Sequence, residues 1–255
     1  MYNIQFSTAR LHTWPPVSDV LPVTSTWDLN TILRDFPYLP PETCLLGMGE
    51  ENAPIILNLM DPTPGALLVL GSHGAGKTHL LRALMRSAQA INPSGSVRAI
   101  VLSDELHEWQ SEAVSPALLA LDSLYADAAV HRLEELGRLV EARRCGKQLG
   151  ESLLLIIDGL QHITTMDPEV RVVFEYLLRE GPAAQVWPLA SLEPQHTHSM
   201  AHWVRRFSTP ILGSLPRQLH TPTEANVPLH TGQFVVRTRS GWKVFWTPSL
   251  PSQGY

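Results

Sequence analysis

Residues 71–78 read Gly-Ser-His-Gly-Ala-Gly-Lys-Thr and satisfy the spacing G-x-x-x-x-G-K-[ST] at every fixed position. Glycines in such a loop let backbone N–H groups turn inward without Cβ interference, and the helix that follows presents its positive end. Gly71, Ser72, His73, Gly74, Ala75 and Gly76 are therefore expected to cradle phosphates, with His79 just beyond them. Lys77 would reach the β- and γ-phosphates, and the Thr78 hydroxyl would bind Mg²⁺. A second acid-bearing point is Asp158, at the end of the apolar run LLLIIDG (153–159). A carboxylate there completes the octahedron of a magnesium ion held by Thr78. ATP and Mg²⁺ are the ligands expected, with Lys77 and Asp158 as the residues that carry catalysis.

These groups need a scaffold that brings strand ends together. ALLVLG (66–71) reads as a short buried strand directly before the glycine loop, preceded by the strand APIILNL (53–59) and a turn at DPTPG (61–65). After Lys77, the apolar residues Leu80, Leu81, Leu84, Met85 and Ala88 recur at helical spacing until NPSG (92–95). Val97–Leu102 reads as another buried strand. Pro116 to about Gly146 reads as one or two helices, with Leu118, Leu121, Leu124, Leu133, Leu136 and Leu139 near one stripe. Asp167 and Pro168 suit the start of a helix bearing Val170, Val173, Phe174, Leu177 and Leu178. Strands alternating with helices predict an α/β fold, a doubly wound and mainly parallel sheet. Gln185–Ala190 fits its rhythm as a further central strand, although Pro188 cannot donate to a ladder. GQFVVRTRSGWKVFWTP (232–248) predicts a C-terminal β-hairpin at the sheet edge.

The proline-rich residues 1–42 read as an extension, and 43–255 as the nucleotide-binding domain. A chain of 255 residues that is 44% hydrophobic can bury a full core. The net charge of −5 argues against a small basic DNA-coating protein. Cys44 and Cys145 form no metal-spaced or disulfide pattern and read as free thiols in a reducing compartment. With no run of about 20 apolar residues and no signal-peptide pattern at the start, a cytoplasmic protein with no membrane association is expected.

Around these motifs the chain resembles the FtsK–HerA group of ATPases over roughly residues 44–248. "LLGMGEENAPIILNL" is similar to that group's lead-in to the glycine loop, and "AIVLSDELHEW" to its strand ending in an aspartate. "LVEARRCGKQLGESLLLIIDGL" resembles its arginine-bearing helix and magnesium-aspartate strand. "LREGPAAQVWPLAS" and "WVRRFSTPILGSLP" resemble its sensor strand and the segment after it. The resemblance implies a RecA-like P-loop NTPase fold and a subunit of a homo-oligomeric ring, such as a hexamer, that moves DNA or a protein substrate. It also implies an arginine acting across the subunit boundary, for which Arg179, Arg205 and Arg206 are the candidates.

The chain departs from that group at three points. Gly159 stands where a water-orienting glutamate follows the aspartate, Leu192 where a γ-phosphate-sensing glutamine is usual, and Pro182 where a second arginine is common. Asp104 and Glu105 follow the second strand, and neighbouring strand ends of a parallel sheet converge on one ligand edge, so either is a candidate replacement base near the γ-phosphate; Gln161 is a candidate to position water. His196, His198 and His202 share no helical face, and Glu193 alone accompanies them, so a metal site is not expected there. Trp242, Phe245 and Trp246 alternate in a hairpin and read as core packing before base stacking. Two functions remain open: an ATPase subunit of a ring motor, or a nucleotide-binding assembly or regulatory module without hydrolysis. Residues 1–42 could latch onto a neighbouring subunit or a partner protein.

Overall fold

The computed structural model describes residues 2–3, 27–50, 52–93, 95–147, 150–215, 229–238 and 241–250. One sheet of 11 strands runs through the described residues. Its strands are β1 (Tyr2–Asn3), β2 (Thr43–Gly49), β3 (Pro54–Asn58), β4 (Leu67–Leu70), β5 (Val97–Ser103), β6 (Leu118–Ser123), β7 (Ser152–Asp158), β8 (Val186–Leu192), β9 (Thr209–Leu212), β10 (Gln233–Thr238) and β11 (Gly241–Trp246). The helices are α1 (Leu29–Asp35), α2 (Lys77–Ile91), α3 (Asp127–Arg144), α4 (Pro168–Glu180) and α5 (Ala201–Val204). Across the sheet the order is β1-β3-β2-β11-β10-β9-β4-β8-β7-β5-β6.

From β9 to β6 every neighbouring pair is parallel, which is the expected doubly wound sheet. An antiparallel wing of β3, β2, β11 and β10 widens it on the β9 side. Side chains alternate between the two faces of each strand, and the two cores follow that period. Leu67 and Val69 of β4, Leu154 and Ile156 of β7, and Trp187 and Leu189 of β8 pack with Leu80, Leu81 and Leu84 of α2. The intervening residues Leu68, Leu155, Ile157, Ala190 and Leu192 pack with α3 and α4 on the other face.

Two expectations change. Residues 118–123 are not helical: β6 is an edge strand beside β5, and α3 begins only at Asp127. Leu118 and Leu121 meet the α2-side core at the sheet margin, so a leucine spacing that fits a helix is satisfied there by a short strand. The C-terminal hairpin is not at the edge; β10 and β11 lie between β9 and β2 and join the two halves. Its apolar pattern reflects that burial, with Phe245 in the core stacked on Phe234, while Trp242 and Trp246 are partly buried against the α3/α4 side. Pro188 does sit in a central strand. It pairs only with Leu155 of β7, because β4 starts one residue later opposite Leu189, so β8 has a single neighbour at the proline.

Of the N-terminal segment, α1 is capped by Asp28, whose Oδ2 accepts from Thr31 N at 3.0 Å, and buries Leu29 and Ile32 against Leu45, Met48 and Ile56. Residues 4–26, within the proline-rich extension, lie outside the described residues, as does the hairpin turn at 239–240. Cys44 is buried and Cys145 exposed, and both are free. Among the described residues no helix is long and apolar enough to cross a membrane.

Candidate nucleotide site

The glycine loop spans the gap between β4 and α2 as the sequence requires. Gly74 and Gly76 take φ of 74° and 93°, values a residue with a Cβ adopts only under strain, so the loop turns where glycine permits. Neighbouring strand ends tie it down: Gly71 N donates to Leu192 O at 3.3 Å and Ser72 N to Ser214 O at 2.8 Å. Ala75 O accepts from Gly232 N at 3.1 Å, and His79 Nε2 lies 2.9 Å from Pro248 O, so the C-terminal wing braces the start of α2. The Lys77 side chain, 11% exposed, donates to Ser72 O at 3.0 Å and lies 3.7 Å from Glu193 Oε1. Beside the loop is a cleft of about 370 Å³, bordered by Lys77, Thr78, Asp104, Asp158, Gln161 and Glu193. Its size falls in the range of ligand pockets.

Asp158 reaches this cleft because the strand period puts it on the α2 face with Leu154 and Ile156. It is 5% exposed, and three neutral donors hold it: Ser191 Oγ to Oδ1 at 2.5 Å, Trp109 Nε1 to Oδ2 at 3.0 Å, and the Thr78 hydroxyl. Burial pushes its carboxyl above the ordinary aspartate value; those hydrogen bonds oppose the rise, and the charge of Asp104 adds to it. A buried carboxylate with neutral donors and a second acid beside it is short of positive charge. Thr78 and Asp158 therefore fit a divalent cation.

Gly159, with φ of 109°, has Asp104 where its side chain would be: an ideal Cβ there lies 2.8 Å from Asp104 Cγ. Asp104 follows β5, and its N–H donates to Asp158 O at 3.2 Å, which fixes the two strand ends side by side. Its Oδ2 receives Gln161 Nε2 at 3.2 Å and lies 2.9 Å from His162 Nε2, which also meets Tyr125 Oη at 3.2 Å. Gln161 Oε1 is buried without a hydrogen-bond partner. Glu105 borders the cleft too, but its side chain is exposed and lies near His107.

The arginine candidates stand apart from the cleft. Arg179 ends α4 beside Glu180 and over the Tyr176 ring, Arg206 pairs with Glu175 at 3.2 Å, and Arg205 is exposed at the end of α5. Arg143, in the arginine-bearing helix, binds the carbonyls of Ala184 and Glu151 and so braces the sheet from below. His202 pairs with Glu175 and His196 with Gln195, and the three histidines form no metal-sized cluster among the described residues. Leu192 belongs to the α3/α4-side core. Sequence reasoning missed Trp109, His162 and Tyr125 as parts of the site, and Glu193 as a companion of Lys77. Strand register pairs Asp158 with Ser191, but nothing in the sequence signals a tryptophan reaching in from a 3-10 turn.

Solved structures share this fold. The chain superposes on the cytoplasmic domain of the type VII secretion ATPase EccC of Thermomonospora curvata with a TM-score of 0.69 at 18% identity, covering 89% of this chain and 28% of that one. With EssC (ATPases 2 and 3) of Geobacillus thermodenitrificans the TM-score is 0.72 at 11% identity, covering 91% and 45%. This chain has the fold of a P-loop ATPase. The neighbours are FtsK/HerA-like P-loop ATPases, so the resemblance seen in the sequence holds for the fold. No family model matches this chain. A stretch of 63 residues is 35% identical to the magnesium-chelatase subunit ChlI of Cyanidium caldarium, covering 25% of this chain and 18% of that protein. The ChlI of Mesostigma viride matches over 63 residues at 36%. The chain thus spans 18% of the length of these relatives.

Proposed function

We propose that this chain is an ATP-hydrolysing subunit of a ring motor in which Asp104 replaces the base missing at position 159. The observation that carries the reading is the Asp104 carboxylate filling the space beside Gly159, at the end of the strand next to Asp158. There it can accept the proton of an attacking water, and Gln161, whose Nε2 donates to Asp104 Oδ2 at 3.2 Å, orients the carboxylate. Lys77 and the loop N–H groups hold the β- and γ-phosphates, and Thr78 and Asp158 hold Mg²⁺. The bound ion neutralises phosphate charge. Likeness of fold to secretion ATPases supports a ring that uses ATP to move a protein or DNA, with Arg179, Arg205 or Arg206 completing a neighbour's site and residues 1–42 contacting a partner.

A second reading is a nucleotide-binding assembly module that does not hydrolyse. Leu192, turned into the core where a γ-phosphate sensor would stand, favours it. The experiment that separates the two is Mg²⁺–ATP turnover of the purified chain with and without double-stranded DNA, beside Lys77→Ala as the blank. Turnover above the blank supports the enzyme; turnover at the blank level with ATP still bound supports the module.

A further inference from the structure

Glu193 is the acid nearest the lysine of the glycine loop, and neither a base nor a metal ligand is needed at its position. It follows β8, whose last residue accepts from Gly71 N at 3.3 Å, so the strand end is fixed against the loop. Its Oε1 lies 3.7 Å from Lys77 Nζ and 3.5 Å from His73 Nδ1, and its Oε2 accepts from Gln195 Nε2 at 3.0 Å. The carboxylate, 26% exposed, thus sits beside Lys77, the cationic group that would meet a nucleotide's outer phosphates.

We propose that Glu193 is a built-in counter-anion of the phosphate site, one that a nucleotide must displace and that sets how strongly the pocket distinguishes triphosphates from diphosphates. The inference rests on the nucleotide-pocket reading of residues 71–78. Lys77 is nearly buried, and an ammonium withdrawn from water needs an anionic or carbonyl partner; Ser72 O and Glu193 supply both. When β- and γ-phosphates take over Lys77, Glu193 is left facing like charge at close range. A triphosphate brings a further charged phosphate to Lys77, 3.7 Å from which Glu193 lies, where a diphosphate brings only its β-phosphate. The repulsion therefore falls mainly on the triphosphate, and the pocket loads ATP less tightly than its lysine alone would allow.

The test is nucleotide affinity by fluorescence anisotropy on the full chain with Mg²⁺, using fluorescent ADP and a non-hydrolysable fluorescent ATP analogue. Glu193→Gln keeps the shape and the acceptor oxygen but removes the charge. It is expected to tighten the triphosphate on the order of tenfold and the diphosphate by less than about twofold. Gln195→Ala, which releases Oε2 and lets the carboxylate swing clear, shifts the ratio the same way to a smaller extent. An unchanged ratio in both variants, or weaker triphosphate binding in Glu193→Gln, overturns the inference. Lys77→Ala with wild-type affinity for both probes would instead remove the pocket reading, and this inference with it.

Discussion

Asp104 and Gly159 share one volume: a Cβ built on Gly159 falls 2.8 Å from the Asp104 carboxyl carbon, closer than real Cβ contacts occur. The glycine is therefore the complement of the aspartate on the adjacent strand. Asp104→Asn keeps the shape and removes the basic oxygen, so steady-state turnover is expected to fall by about 100-fold or more with ATP affinity unchanged. Equal loss of affinity and turnover would place Asp104 in binding.

Restoring a glutamate does not restore the site. Gly159→Glu meets both the occupied volume and a φ of 109°, and is expected to destabilise by roughly 2 kcal/mol or more in urea titration, with no gain in turnover. Combining it with Asp104→Gly clears the volume, so the double variant should be more stable than the two single losses add up to. Strict additivity would show that the two side chains do not compete for space.

Lys77→Ala is expected to abolish nucleotide binding measured by anisotropy, because the loop loses its one nearly buried cation. The melting temperature should change little, since among the described residues the polar partners of the Lys77 side chain are Ser72 O and Glu193, both at the cleft. Retained binding would move the nucleotide elsewhere.

Trp109 is fully buried and its Nε1 donates to Asp158 Oδ2 at 3.0 Å. Trp109→Phe keeps most of the packing and removes the donor, so it should cost about 1 kcal/mol of stability. The Mg²⁺ concentration needed for half-maximal nucleotide binding should rise several-fold, and Asp158→Asn should weaken the Mg²⁺ dependence more. An unchanged Mg²⁺ titration in both variants would take Asp158 out of the metal site.

Glu112, 1% exposed, anchors the 3-10 turn that carries Trp109 to Arg82 and Arg86 of α2. Burial alone would raise its carboxyl, but the hydrogen bonds and charges of Arg86 and Arg82 outweigh burial and hold it below the ordinary glutamate value. A depressed folded value means stability that is present above the unfolded pKa and lost as pH falls through the folded one. Glu112→Gln should therefore cost about 3 kcal/mol at neutral pH, where it leaves two partly buried guanidinium groups without their acid. The gap between wild type and variant should close in acid. A gap that persists in acid would assign it to packing.

Much of this site was legible because local chemistry dictates it. A phosphate cradle needs glycines, a lysine and a hydroxyl at fixed spacing on one loop, and a buried parallel strand needs an uninterrupted apolar run such as 153–157. Lys77, Thr78 and Asp158 could be named from these constraints alone. The segment 118–123 misled because its leucines fit a helix as well as a strand, and only a vacant place beside β5 decides between them. The C-terminal hairpin was visible as a hairpin, yet its place inside the sheet depends on β2 and β9, segments distant in the chain.

By itself, then, the sequence determined the glycine loop, the aspartate strand and the alternation that stacks helices on both faces of a parallel sheet, since each is a short-range pattern of residue types. Tertiary structure alone decided which acid stands beside Gly159, that Trp109 and Ser191 hold Asp158, and that Glu193 faces Lys77. Those contacts join strand ends and turns through sheet register. Their distances are fixed by packing across the sheet, and spacing along the chain carries no record of them.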